Sequence, residues 1–226
     1  MENNLKIITT EDGSHSLYRE DLKETYHSFH GAKGESMHVF IEAGLQYAHT
    51  PGTSHLRIFE VGLGTGLNAF LASGYAFQNN IKVEFFSLEP YPVSKTMYKQ
   101  LNYGQGPVEK KLLLDIHEAE WEYPISINEQ FTLHKSTTRL EDMNTIGHSE
   151  YFDVIFFDAF APSKQAALWG IDNLRKCADL LRTGGVLTTY CAQGQFKRDL
   201  RDAGFDVQTL RGAMGKKEMV RGVKKG

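Results

Sequence analysis

Glu60-Val61-Gly62-Leu63-Gly64-Thr65-Gly66-Leu67-Asn68 stands between a strand-like run and a helical pattern, and no other segment restricts the fold as tightly. Before it, His55-Leu56-Arg57-Ile58-Phe59-Glu60-Val61 reads as a buried strand; after it, Ala69 to Gln78 continues as a helix. Three glycines let the backbone turn sharply and let a ligand approach where any Cβ would collide. The unpaired N–H groups of the helix N-terminus then face that ligand. Such loops hold NAD, FAD, phosphates and adenosine-bearing cofactors alike, and some are plain turns.

Two details narrow the choice. A dinucleotide fingerprint places glycine or alanine at the sixth position, where this chain has Leu67. Glu60, at the strand end, can attract a ligand that carries positive charge, which favours S-adenosylmethionine with its ammonium and sulfonium. The next strand, Lys82-Val83-Glu84-Phe85-Phe86-Ser87-Leu88, ends at Glu89, an acid placed to accept from both ribose hydroxyls. The other reading of Glu89 is a cap for a helix starting near Pro92.

A chain of 226 residues that is 41% hydrophobic buries one substantial core. The expected organisation is an N-terminal extension over residues 1–50, hairpin and helix, on a catalytic domain over 51–226. In the extension, Lys6-Ile7-Ile8-Thr9-Thr10 and Ser14-His15-Ser16-Leu17-Tyr18 flank Glu11-Asp12-Gly13, a hairpin signal, and Gly34 to Ala48 has helical periodicity. Beyond residue 51, strands and helices alternate, which implies a parallel sheet with helices on both faces. Gln130 to Lys135 reads as a third strand, preceded by a stretch without clear period. Tyr151-Phe152-Asp153-Val154-Ile155-Phe156-Phe157 is the most apolar run and belongs at the centre. A helix is expected from Gln165 to Leu181, stopped by Gly184-Gly185, then a strand over Gly185–Tyr190 and a helix over Gln195–Ala203. Phe205–Leu210 and Lys217–Val223 close the chain as an antiparallel pair. The expected fold is thus a Rossmann-like α/β fold with a mostly parallel seven-stranded sheet and a reversed terminal strand, the class I S-adenosylmethionine-dependent methyltransferase arrangement.

The central strand delivers Asp158, followed by Ala159-Phe160-Ala161-Pro162-Ser163-Lys164, beside the crevice where open α/β sheets bind ligands. Methyl transfer to an amine needs the nucleophile held in line and a group that accepts its proton. Asp158 suits that task, the Ala159 or Ala161 carbonyl can serve as second acceptor, and Phe160 offers a flat face for a base. The same residues also suit a helix cap, with Pro162 in the first turn.

Nine Lys or Arg face four Asp or Glu from Lys197 to Gly226, so this end is +5 and the remainder −8. Such asymmetry accompanies contact with polyanions, or else is a solvated basic surface. Cys177 and Cys191 lack metal-type neighbours, and His27-x-x-His30 has no ligand partner in register, so no metal is expected. The polar segment Met1–Lys6 lacks a signal-like apolar core, and no run reaches the ~20 apolar residues of a membrane span. A cytoplasmic protein is expected.

Glu60 to Asn68, Asp158 to Lys164 with Trp169, Gly215-Lys216-Lys217-Glu218-Met219, and Tyr26-His27-Ser28 with Glu35-Ser36-Met37-His38-Val39-Phe40 together resemble the methyltransferase domain of the MnmC family. The resemblance covers most of the chain and implies methylation of an aminomethyl group on the wobble uridine of tRNA, with S-adenosylmethionine as cofactor. It implies Asp158 as the catalytic residue, with Tyr26, Glu60, Gly62, Gly64, Gly66, Asn68 and Glu89 around the cofactor. Phe160, Pro162, Lys164, Lys216 and Lys217 would meet the anticodon arm of tRNA. Family members are often fused to an FAD-dependent oxidase. This chain ends three residues after Val223, so the expectation is a form acting alone, supplied by a separate oxidase or by upstream uridine-modifying enzymes. Where relatives often place an acid near the adenine, the chain reads Lys135-Ser136-Thr137-Thr138, with Glu141 and Asp142 nearby; Ala159 replaces a common glycine. Two other classes share these features: an amine methyl- or aminopropyltransferase on a free small molecule, and a silent RNA-binding relative.

Overall fold

Strands rich in apolar residues can be buried on both faces, and such runs form the interior of one sheet. The computed structural model describes residues 4–226, so the first three residues of the polar N-terminal segment lie outside it. In chain order the large sheet contains β4 (His55–Val61), β5 (Lys82–Leu88), β6 (Pro124–Asn128), β7 (Phe131–Ser136), β8 (Phe152–Phe157), β9 (Leu181–Thr189), β10 (Phe205–Arg211) and β11 (Glu218–Lys224). Their spatial order is β10-β11-β9-β8-β4-β5-β7-β6. β4 pairs in parallel with β5 and β8, while β11 runs antiparallel to both β9 and β10.

The sheet has eight strands where seven were expected. The addition is β6, a short antiparallel edge strand whose register slips near Asn128 and whose sequence, Pro-Ile-Ser-Ile-Asn, is too short and too polar to announce itself. A separate three-stranded sheet, β1 (Leu5–Thr9), β2 (His15–Arg19) and β3 (Glu24–Thr25), contains the expected hairpin.

Alternation along the strands splits the interior into two layers. Ile58, Phe85, Val154 and Phe156 pack with α2 (Leu67–Asn79) and with a π-helix (Met37–Gln46) that continues α1 (Ala32–Ser36). The opposite layer joins Phe59, Ile155 and Phe157 to α5 (Ile171–Leu180) and α6 (Gly194–Asp202). The π-helix falls where an ordinary helix was expected, and a Cβ at its Gly44 would lie 3.0 Å from Thr188 Oγ1 and 3.1 Å from the Phe156 ring. Two short helices, α3 (Lys95–Tyr98) and α4 (Pro107–Glu118), occupy much of the stretch without clear period.

The helix expected from Gln165 begins only at Ile171. Gln165 and Trp169 are used otherwise: the Phe160 amide donates to Gln165 Oε1 (3.0 Å) and the Trp169 indole donates to the Phe160 carbonyl (2.7 Å). Their side chains therefore fold the 160–170 segment back on itself. At the other end, α5 stops at Leu180 and the chain enters β9 at once, so the Gly184-Gly185 pair lies within that strand.

Val61 is in register with Leu88 on one side and Phe157 on the other. The loops that follow β4, β5 and β8 consequently leave the sheet side by side. No helix among the described residues is long and apolar enough to cross a membrane.

Candidate active site

A cavity of about 400 Å³ opens where these three loops emerge, within the usual range for small-molecule sites. Gly62, Gly64 and Asn68 line it from the first loop, Glu89 from the second, and Asp158, Phe160 and Lys164 from the third; Tyr26 closes it from the N-terminal segment. Of the residues expected around the cofactor, Glu60 and Gly66 are absent from the wall.

Glu60 is fully buried within the sheet and accepts from Ser87 Oγ at 2.5 Å. Burial pushes its carboxyl up to about 8, so near neutrality it holds a proton and offers no charge to a cation. Glu60, expected to attract a cationic ligand, thus lies inside the sheet and outside the cavity wall. Gly66 caps α2 in the left-handed conformation with φ 73°, and a Cβ there would meet His117 Nε2 at 3.1 Å.

The glycines also answer to protein atoms. A Cβ on Gly62 would lie 2.2 Å from the Asp158 carbonyl, and one on Gly64 3.0 Å from the Tyr26 ring. They let loops and aromatic wall come together, rather than making room for the ligand directly. His117 in turn donates to the Thr65 carbonyl (2.9 Å), and Tyr103 donates to Thr65 Oγ1 (2.9 Å), so the loop is propped from behind.

Glu89 accepts from the Gly64 amide and the Tyr91 amide, both at 2.9 Å. Each carboxylate oxygen keeps lone-pair capacity toward the cavity. Burial raises its affinity for a proton, partly offset by those two amides. Beyond Glu89 the wall continues through Arg139, Leu140 and Glu141, whereas Asp142 does not line the cavity. Lys135, at the end of β7, is fully buried, donates to the His117 carbonyl (2.7 Å) and lies 4.5 Å from the Trp121 ring. Burial lowers its ammonium to about 8.

Asp158 receives the Asn68 side-chain amide on Oδ2 at 2.8 Å. Burial pushes the Asp158 carboxyl up to about 7; the nearby Glu35 adds to the rise, while Asn68 and Lys216 oppose it. Phe160 meets the edge of Tyr26 with ring centroids 5.0 Å apart, and the Arg19 guanidinium lies 6.0 Å over its ring. The carbonyls considered as second acceptors are engaged: Ala159 O accepts from Tyr190 Oη (2.7 Å), and Ala161 O from the Lys164 and Gln165 amides. Pro162 shapes the bend but is not part of the wall.

Lys216 and Lys217 were expected to meet RNA together, and the structure separates them. Lys217 is exposed. Lys216 turns inward, paired with the buried carboxylate of Glu35 and 4.1 Å from the Tyr190 ring. Tyr190 drew no attention in the sequence; Glu35 entered only within a segment that carries the family resemblance, and His27 only there and as half of a histidine pair. For Glu35 a signal existed: Ala32, Glu35, Ser36, Val39 and Phe40 repeat at helical spacing and are all buried, which puts the acid on the inner stripe. His27 lines the cavity with Nδ1 2.9 Å from Ser16 Oγ, and burial pushes it down to about 4. Among the described residues, no group of three or more His, Cys, Asp or Glu is gathered around a point where a metal could sit.

The cavity suits S-adenosylmethionine in size, in the backbone wall of the Gly62–Gly64 loop, and in the strand-end carboxylate of Glu89. Residues 111–225 match the family described as S-adenosyl-L-methionine-dependent methyltransferase. The tRNA 5-methylaminomethyl-2-thiouridine biosynthesis bifunctional protein MnmC of Cupriavidus metallidurans is 28% identical over 222 residues, covering 94% of this chain and 33% of that protein. The chain thus spans about a third of the length of the curated relatives it matches. Among solved structures, MNMC2 from Aquifex aeolicus has a TM-score of 0.79 at 23% identity over 98% of this chain and 70% of the other. Spermidine synthase from Thermotoga maritima has a TM-score of 0.55 at 11% identity, covering 98% and 69% respectively. Both are likenesses of fold.

Proposed function

Because the chain belongs to the family of S-adenosyl-L-methionine-dependent methyltransferases, we propose that it methylates the amine of a 5-aminomethyl-(2-thio)uridine at the wobble position of tRNA in the cytoplasm. The observation that carries this reading is Asp158: a carboxylate at the mouth of the cofactor cavity, oriented by Asn68, with a proton affinity brought near neutrality. The names of the MnmC relatives supply the substrate class. An aminomethyl group would reach the enzyme from a separate FAD-dependent oxidase or from the upstream uridine-modifying enzymes.

Gly62, Gly64, Glu89 and Tyr26 would hold the cofactor, Glu89 through the ribose hydroxyls. S-adenosylmethionine, when bound, supplies an electrophilic methyl group on a sulfonium. Asp158 would accept a hydrogen bond from the substrate amine and take the proton that the nitrogen loses on methylation, the sulfonium leaving as a neutral thioether. Asn68 fixes the carboxylate so that the acceptor is in place before the amine arrives. Phe160 and Tyr26 form an aromatic corner against which an unstacked base can rest. Tyr190 anchors the Ala159 carbonyl and so restrains the loop that carries both Asp158 and Phe160.

The test is transfer of labelled methyl to tRNA bearing 5-aminomethyl-2-thiouridine, followed by mass spectrometry of the nucleosides. Label confined to the methylaminomethyl nucleoside is expected. Equal methylation of the free nucleoside, independent of salt, would transfer the reading to a small-molecule amine; no labelling of either would overturn both.

A further inference from the structure

We propose that Glu35 and Lys216 are positioning residues for Asp158: their ion pair clasps the β10–β11 loop onto the N-terminal segment, ties the two walls of the cavity together and sets the charge that Asp158 feels. The inference rests on Asp158 as proton acceptor and adds residues that touch neither cofactor nor reacting atoms.

Glu35 is 4% exposed, and a carboxylate so placed is costly unless its oxygens are paired. Oε2 accepts the Ser28 amide at 2.7 Å, and Oε1 takes Lys216 Nζ. Ser28 follows Tyr26 and His27, which line the cavity, so Glu35 anchors that wall. On the other side Lys216 lies over Tyr190, whose hydroxyl holds the carbonyl next to Asp158. One ion pair therefore reaches both walls.

A second contact fastens the same loop to the same segment. Met214 has φ 45°, a left-handed backbone, and its thioether fills a notch over α1: a Cβ on Gly31 would lie 2.4 Å from Met214 Cε, and one on Gly34 2.8 Å from its Sδ. Gly215 faces the His30 ring, 3.3 Å from where its own Cβ would stand. The loop is thus seated by shape as well as by charge, which makes the ion pair separable from the seating.

Several titratable groups act on Asp158 or feel it. Glu35 approaches from α1, Lys216 from the hairpin loop, Glu60 from β4, Tyr190 from the end of β9 and Tyr103 from the segment before α4; His27 lies beside the ion pair. Burial keeps Glu60 protonated near neutrality, His27 uncharged and both tyrosines protonated, so Glu35 and Lys216 are the members of this set whose charges bear on Asp158. Their effects have opposite sign, and removing either partner displaces Asp158 in opposite directions.

Titration of isotope-labelled aspartate carboxyl carbons by NMR, with the Asp158 signal identified by its loss in D158N, reads this without RNA. Asp158 is expected to titrate lower in E35Q and higher in K216M, by about one pH unit each, and close to wild type in K216R and in the E35Q/K216M double variant. The acidic limb of kcat/KM should move with it, turnover should fall by roughly 10- to 100-fold in K216M, and S-adenosylmethionine affinity should hold. An Asp158 titration that stays fixed in both single variants, or moves the same way in both, overturns the proposal. Because the titration is independent of substrate, failure of the wild type to methylate tRNA would refute the substrate reading and leave this one to be decided separately.

Discussion

A carboxyl group that titrates near neutrality accepts a proton only above that pH, and Asp158 is such a group. With a folded value of about 7 against an ordinary 3.8, kcat/KM of the wild type is expected to rise with pH through about 7. D158N should lower turnover by about 10² or more and abolish that limb, with cofactor affinity little changed. The sign of the stability effect follows from the same displacement. The folded chain keeps this proton over a window in which the unfolded chain has lost it, so stability associated with Asp158 is present at low pH and is lost as pH rises from about 4 to about 7. The melting temperature of D158N relative to wild type should therefore increase across that window and level off above it. A D158N difference that shrinks with rising pH would contradict this assignment.

At the scale of elements, the site depends on how closely the ends of β4 and β8 approach. Gly62 has φ 96°, its amide donates to the Leu88 carbonyl (2.9 Å), and the Asp158 amide donates to the Val61 carbonyl (3.0 Å). In G62A the new Cβ would press on the Asp158 backbone, and neither partner is a side chain that can swing away. We expect G62A to lose about 1–3 kcal/mol in urea unfolding and to lose activity with it. G64A, which meets only the Tyr26 ring, should be milder in stability. Equal effects of the two would mean that the Asp158 loop gives way freely. The strands were legible in the sequence because runs such as Phe152–Phe157 are apolar at all but one position, and Asp158 and Glu89 were legible as acids at their carboxyl ends. The 160–170 segment was not, since composition and spacing do not show that Gln165 and Trp169 spend their polar groups on Phe160. The π-helix was not either, because a stretch of apolar residues admits more than one winding. The helical stripe marks Glu35 as buried but does not show its partner Lys216, 181 residues away, and Tyr190 acquires meaning only through that lysine.

For the molecule as a whole, the +5 end of the chain is less available than a count implies. Lys197 pairs with Glu218 (2.7 Å), Lys216 with Glu35 and Lys224 with Glu150 (3.1 Å), while the Arg221 guanidinium lies 3.5 Å over the Tyr47 ring and donates to the Ala43 carbonyl. Arg198, Arg201, Arg211, Lys217 and Lys225 remain exposed, and Lys164 and Arg139 are exposed at the cavity itself. Binding of tRNA should therefore weaken with salt along a shallower log-log line than one contact per basic residue would give. K217E should weaken it and reduce the slope by about 1, leaving cofactor affinity intact. Filter binding across a salt series checks this; an unchanged slope would remove Lys217 from the RNA surface. K216E is a different experiment, because it sets a third carboxylate beside Glu35 and Asp158.

The antiparallel strand β11 sits between β9 and β10, within the sheet, and not at its margin. In chain order this strand follows both β9 and β10, and β10 reaches the sheet only through it. The β10–β11 hairpin that docks on β9 brings Lys216 with it. Until then Glu35 is a carboxylate awaiting a counterion, and the wall it anchors has nothing to close against. Docking of β11 on β9 and closure of the cavity wall are thus coupled through Lys216.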